Sequence, residues 1–171
     1  MYKRQNNALV SAGNFTMDNS SGSVTSAGKK ATLIQMTVNP QYSIDVSSLG
    51  GIEANSISMV GNNIGFGVRN KGSIISNGTL MLTSNGNLLN KGSITGKGLL
   101  SQVSTVTGIT NDGSIAGAYY LMLSSGDYIV NTGSLSGGQL IATANGNITN
   151  GDSGTMTGTS GLSLTSGGKI R

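Results

Sequence analysis

Six carboxylates, Asp18, Asp45, Glu53, Asp112, Asp127 and Asp152, carry the general acid–base chemistry available to this 171-residue chain, and they are spread singly along it. Histidine and cysteine are both absent. Imidazole-assisted nucleophiles, thiolate chemistry, zinc sites and disulfides are therefore excluded. What remains for catalysis is a pair of carboxylates, as in polysaccharide cleavage, and such a pair must sit roughly 5–9.5 Å apart across a glycosidic bond. Ten Lys and Arg leave a formal net charge of +4. They too are scattered, with no basic run interleaved with aromatics, so they read as a solvated, weakly basic surface and not as a nucleic-acid groove.

A second set of polar residues is not scattered. The pattern N-x-G-S-[IL] begins at Asn70, Asn90, Asn111 and Asn131, and a looser copy, NGDSGTM, begins at Asn150. The glycines of these motifs, Gly72, Gly92, Gly113, Gly133 and Gly154, are spaced alternately by 20 and 21 residues. An asparagine amide is both donor and acceptor, so an inward-facing Asn can bond the backbone of its own turn and the amide of its copy one period away. The glycine is expected to supply a positive φ at the corner. Two readings of the row Asn70, Asn90, Asn111 and Asn131 follow: a structural ladder, which turn chemistry favours, or a binding row. The residue after each Asn changes from Lys71 and Lys91 to Asp112 and Thr132. Such a position is expected to be exposed.

Stepping outward from the marks, each period repeats one grammar: a Gly turn, an alternating apolar stretch, a second turn, a short stretch and Asn. GTLMLTSNGNLLN from Gly78, GAYYLMLSSGDYIVN from Gly117, GGQLIATANGNITN from Gly137 and GTSGLSLTSGGKI from Gly158 all follow it. A period of two within each piece specifies strands. Leu80 and Leu82, Leu121 and Leu123, Leu140 and Ala142, and Leu162 and Leu164 should face inward, with Thr83, Ser124, Thr143 and Thr165 outward. The composition agrees: 28 Gly, one Pro, 4% aromatic and 9% charged residues suit short strands and tight turns around a small-residue core. A unit of about twenty residues has almost no interior of its own, so the units must stack. The predicted fold is an all-β, right-handed parallel β-helix with coils of about 20 residues, in which like side chains form columns about 4.8 Å apart. In that coil Asp112 and Asp152 alone share an approximate column, two coils apart at about 10 Å, a poor catalytic pair. The unit GKGLLSQVSTVTGITNDGSI departs from the grammar, since Val103, Val106 and Ile109 are three apart; a slipped or bulged corner is expected there.

Before Val68 the beat is lost. Residues 1–67 and 68–171 are therefore read as two regions, the first carrying an irregular insertion with the lone Pro40 and Glu53. The opening MYKRQ fits nothing downstream and is read as foreign to the fold or as a polar end. No stretch is apolar enough to span a bilayer or to serve as a signal peptide, which suggests an intracellular protein or an internal fragment of an exported one.

The stretch DVSSLGGIEANSISMVGNNIGFGVRNKGSI resembles the end of the secretion domain in filamentous-haemagglutinin-like exoproteins of two-partner secretion systems. Asp45–Gly51, Ala54–Ile57 and Gly65–Asn70 carry the resemblance, and Ile52-Glu53 departs from it where relatives often have Met-Tyr. The following units resemble haemagglutinin repeats, so the likeness runs from about residue 6 onward. It implies a large protein exported through an outer-membrane partner transporter of a Gram-negative bacterium and folded outside as a fibre. Such proteins are adhesins, haemolysins or contact-dependent growth-inhibition toxins, whose receptor-binding parts meet a host or neighbouring cell. The absence of cysteine suits a chain that threads a pore unfolded.

Three classes of function follow. A structural or adhesive segment, not an enzyme and without cofactor or metal, is the reading that repeats and unreactive side chains favour. The alternative is a carbohydrate-active or glycan-binding β-helix, which would need clustered acids. A calcium coil would need G-G-x-G-x-D repeats, and an ice-binding face would need Thr-x-Thr in register; TVT at Thr105 and TMT at Thr155 are out of register. Sequons occur as NFT, NSS, NGT and NIT. Exposed strand edges at the coil ends predict end-to-end self-association, and the flat Ser/Thr/Asn surface predicts negligible affinity for soluble sugars or metals.

Overall fold

In a computed structural model the described residues are 42–62 and 67–171, together with the backbone pairing of three strands nearer the N-terminus. Those three are β1 (Gln5–Ala12), β2 (Phe15–Met17) and β3 (Val24–Ser26). The MYKRQ opening, apart from Gln5 at the start of β1, lies outside the described residues, as do Pro40 and Phe66. No helix occurs among them, and so none is long and apolar enough to cross a membrane.

From Tyr42 the chain winds through six coils. The first holds β4 (Tyr42–Val46) and β5 (Gly51–Gly61); the second β6 (Gly67–Asn70), β7 (Ser73–Ser76) and β8 (Leu80–Ser84). The third holds β9 (Leu88–Asn90), β10 (Ser93–Gly96) and β11 (Leu100–Thr105), and the fourth β12 (Ile109–Asn111) and β13 (Ser114–Ser125). The fifth holds β14 (Ile129–Asn131) and β15 (Ser134–Ala144), and the sixth β16 (Ile148–Asn150) and β17 (Thr155–Ser166). With coils of about 21 residues and every coil-to-coil pairing parallel, the chain is a β-solenoid. One sheet runs β4, β6, β9, β12, β14, β16; the other two faces form a second, larger sheet that folds around a corner within β5, β13, β15 and β17. β1 pairs in parallel with β5, Gln5 opposite Ala54 and Ala12 opposite Gly61, and so covers that strand's open edge.

The alternation read from the sequence becomes columns. Ile57, Leu80, Ser101, Leu121, Leu140 and Leu162 stack in one, and Met59, Leu82, Val103, Leu123, Ala142 and Leu164 in the next. A third runs Ile52, Ile74, Ile94, Ile115, Leu135, Met156, and a fourth Ile44, Val68, Leu88, Ile109, Ile129, Ile148. From Ile57 to Ile148 these side chains are almost wholly buried. Burying a branched aliphatic side chain contributes about 1.5–3 kcal/mol, so a core without large rings suffices when every coil adds several. Leu162 keeps its column but is 48% exposed, because no coil lies above it among the described residues. Thr83, Ser124 and Thr165 face solvent and Thr143 is half-buried.

Coil length varies at two corners: after the short strands, 47–50 and 151–154 hold four residues where 71–72, 91–92, 112–113 and 132–133 hold two, and the corner between the second and third faces varies from coil to coil. Between the innermost position of the second face and the first inward residue of the third lie residues 55–56, 77–79, 97–100, 118–120, 138–139 and 159–161: two, three, four, three, two and three residues. The irregular corner expected in the unit that begins at Gly96 is present, though the spacing of Val103, Val106 and Ile109 does not mark its place. The corner 106–108 has the same three residues as 85–87, 126–128 and 145–147, and Val103 stays in register with Leu82 and Leu123. The extra residue sits at 97–100 instead, since a corner outside the ladder can lengthen without moving any inward column.

Candidate functional site

The row predicted from the motifs comes together on one inner edge of the solenoid. Asn70, Asn90, Asn111 and Asn131 end the short strands β6, β9, β12 and β14, pair in register with one another and with Asn150, and are completely buried. Each short strand has one apolar inward residue followed two positions later by Asn, so the same alternation that buries Leu88 or Ile109 turns the amide inward.

The amides form a chain pointing one way. Asn70 Nδ2 donates to Asn90 Oδ1 at 2.8 Å, Asn90 to Asn111 at 2.7 Å, Asn111 to Asn131 at 2.7 Å and Asn131 to Asn150 at 2.7 Å. The second N–H of each amide reaches the backbone of the next coil: Ser93 O at 3.1 Å, Ser114 O at 3.0 Å, Ser134 O at 3.0 Å and Thr155 O at 3.0 Å. Longer contacts of 3.2–3.4 Å to Gly72, Gly92, Gly113 and Gly133 carbonyls tie each Asn to its own corner. Both donors of every interior amide are thereby satisfied in a region closed to water, where an unpaired amide group would cost about 1–3 kcal/mol. Head-to-tail alignment lets each bond polarise the next. At the lower end Asn70 Oδ1 accepts from Gly72 N–H at 3.2 Å, and at the upper end the half-buried Asn150 donates to Gly154 O at 2.8 Å.

The glycines are needed for a different reason from the one expected. None of Gly72, Gly92, Gly113 and Gly133 has a φ in the left-handed region; instead a Cβ on Gly92, Gly113 or Gly133 would collide with the carbonyl of the glycine one coil below, and one on Gly72 with the carbonyls of Ser47 and Gly50. Those carbonyls accept the N–H groups of Ser93 and Ser114 at 2.9 Å and Ser134 at 2.8 Å. Backbone stacks directly on backbone at this edge, and close approach is what excludes a side chain.

Outside the ladder, Lys71, Lys91, Asp112 and Thr132 form an exposed column. Lys91 Nζ lies 3.8 Å from Asp112, which also accepts from Thr132 Oγ1 at 2.9 Å. On the outer side of the first coils Arg69 Nε donates to Asp45 at 2.9 Å while its guanidinium lies 4.7 Å from the Tyr42 ring centre. That guanidinium holds the Asp45 carboxyl below its ordinary pKa, chiefly by hydrogen bonding. Among the described residues no three acids gather in a way that could hold a metal ion. Two polar groups escaped sequence reasoning, the hydroxyls of Ser101 and Thr105, which are buried without a partner; the signal was the Ser at a position where neighbouring units have Leu.

A stretch of 57 residues is 40% identical to a protein named Toxin CdiA from Yersinia pestis. The match takes in 33% of this chain and 2% of that protein's length. No protein-family model and no solved structure matches the chain.

Proposed function

We propose that this chain is a scaffold segment, a stalk or adhesive stretch of a large secreted exoprotein related to filamentous haemagglutinins and CdiA-type toxins, and that it is not an enzyme. The observation that carries the reading is the asparagine ladder: the most regular polar feature of the molecule is buried and internally saturated, so it serves coil stacking and leaves no amide free for a ligand. In this reading Asn70, Asn90, Asn111 and Asn131, with Gly72, Gly92, Gly113 and Gly133, are structural residues. Residues 1–67 form the end of a secretion-domain-like region and 68–171 the haemagglutinin-type repeats, joined by continuous pairing of β4 with β6 and of β5 with β7 and β8.

The partner during export is an outer-membrane transporter, and the location is the bacterial surface or exterior. Receptors on host or neighbouring cells are met through the full-length protein, and no nucleic acid or cofactor is involved. The exposed sixth coil, with Leu162 and Ile170 about half exposed, makes end-to-end association of the isolated chain an expected property.

The test is excision of one whole coil, residues 91–111, which joins Asn90 to Asp112 and preserves the ladder's phase. In the full-length protein a stalk shortened by about 4.8 Å still reaches the surface and still binds its target cell. Loss of cell or glycan binding with surface display intact would instead assign recognition to these coils, and favour the glycan-binding alternative.

A further inference from the structure

The third coil differs from its neighbours in where it places hydroxyl groups. In the column that runs Ile57, Leu80, Leu121, Leu140 and Leu162 it supplies Ser101. Ser101 is fully buried, and its Oγ has no hydrogen-bond partner. Four positions on, Thr105 stands in register with Ser84 and Ser125, and further along with Ala144 and Ser166.

The serines of that column fasten the next corner. Ser84 Oγ accepts from Gly86 N–H at 3.2 Å; Ser125 Oγ accepts from Asp127 N–H at 3.3 Å and donates to Tyr128 O at 2.8 Å; Ser166 Oγ accepts from Gly168 N–H at 3.1 Å. Ala144 has no hydroxyl to satisfy. Thr105 does, yet its Oγ1 is buried and makes none of these bonds. The γ-methyl restricts a threonine to fewer rotamers than serine has, so a hydroxyl that serine can swing toward the corner is held away from it. Among the corners between the second and third faces the same coil carries the longest, 97–100, with Leu99 66% exposed, and its following corner leaves Val106 60% exposed.

We infer that the third coil is a built-in joint, the place where the solenoid opens first when it opens locally. Two buried hydroxyls regain water on opening, and a long, weakly packed corner gives up little contact, so both sides of the local equilibrium favour opening here over the coils above and below. Opening presents the Lys97–Gly98 bond in extended form to a trypsin-like protease, dividing the rod within its third coil.

Hydrogen exchange read by mass spectrometry on the whole chain tests this. Amides of 101–105 are expected to exchange about tenfold faster, or more, than the matched amides of 80–84 and 121–125, given two unpaired buried groups in one coil. Trypsin should cut after Lys97 before it cuts after Lys71 or Lys91, which are also exposed. The double variant Ser101→Ala, Thr105→Ser removes one orphan hydroxyl and frees the other to bond its corner; it should slow exchange in 101–105 by about tenfold and leave 80–84 and 121–125 unchanged. Uniform exchange across the three coils would overturn the proposal, and so would a folded double variant that exchanges as fast as the parent.

Discussion

A one-directional ladder makes an unusual demand on double mutants. Replacing Asn111 with Leu, which has the same branched skeleton, breaks both amide–amide bonds and leaves one N–H of Asn90 Nδ2, which donated to Asn111 at 2.7 Å, and Asn131 Oδ1, which accepted from Asn111 at 2.7 Å, without their amide partners, while Ser134 O loses the bond it accepted at 3.0 Å. At about 1–3 kcal/mol for each orphaned group the expected loss is about 2–6 kcal/mol, a large part of the roughly 5–15 kcal/mol that holds a domain together. Replacing Asn90 and Asn111 together still leaves two orphans, now Asn70 Nδ2 and Asn131 Oδ1, because the bond between the two removed amides disappears with both its partners. Replacing Asn90 and Asn131 instead leaves four: Asn70 Nδ2, both ends of Asn111, and Asn150 Oδ1. Bonds from the amides to glycine carbonyls and to the Ser or Thr carbonyls of the next coil are lost at two coils in either double, so they cancel in the comparison. The adjacent pair should therefore cost less than the separated pair, and less than the sum of its own singles, by two orphaned amide groups, a coupling of about 2 kcal/mol or more where additivity predicts none. Urea unfolding followed by circular dichroism at constant slope gives the losses of the three singles, at Asn90, Asn111 and Asn131, and of the two doubles. Equal losses in the two doubles, each the sum of its singles, would show that the amides act independently and refute the ladder as an energetic unit.

Gly113→Ala places a methyl group against the Gly92 carbonyl and the Lys91 carbonyl carbon, 2.9 Å away, and should lower the melting temperature by several degrees; Gly161→Ala, whose new methyl would meet only Gln139 Cγ at 3.9 Å, should be neutral or raise it slightly. Leu121→Asp buries a charge in the central column and should abolish the cooperative unfolding transition, whereas Thr83→Asp on the exposed face should change it little, as calorimetry of the two variants would show. Asp45 is held below its ordinary pKa by Arg69, so its small contribution to stability is complete above the unfolded-state value and is lost as pH falls through the depressed one; Asp45→Asn should flatten that acid limb and leave stability at neutral pH nearly unchanged.

The sequence by itself determined the coil. Recurrence of N-x-G-S every twenty or so residues, and alternation of period two between the marks, specify which side chains face inward, and in a stack of like units inward residues have nowhere to go except into columns. Leu80, Leu121 and Leu140 could be placed together, and Asn70, Asn90, Asn111 and Asn131 in one row, without coordinates, because both assignments depend on local periodicity alone. The direction of the amide chain, the reason for the glycines and the two stranded hydroxyls depend on something that local periodicity does not contain: which atoms of the coil above and the coil below a residue meets. Gly92 reads as a turn residue until the Gly72 carbonyl is seen beneath it, and Thr105 reads as one more β-branched strand residue until Ser84 and Ser125 are seen fastening corners that it cannot. The extra residue of the third coil is absorbed at 97–100 and not near Val106, because inward columns fix the register of strands through burial, whereas a corner exposed to water can take up a residue at small cost; only the stacked structure decides which corner that is.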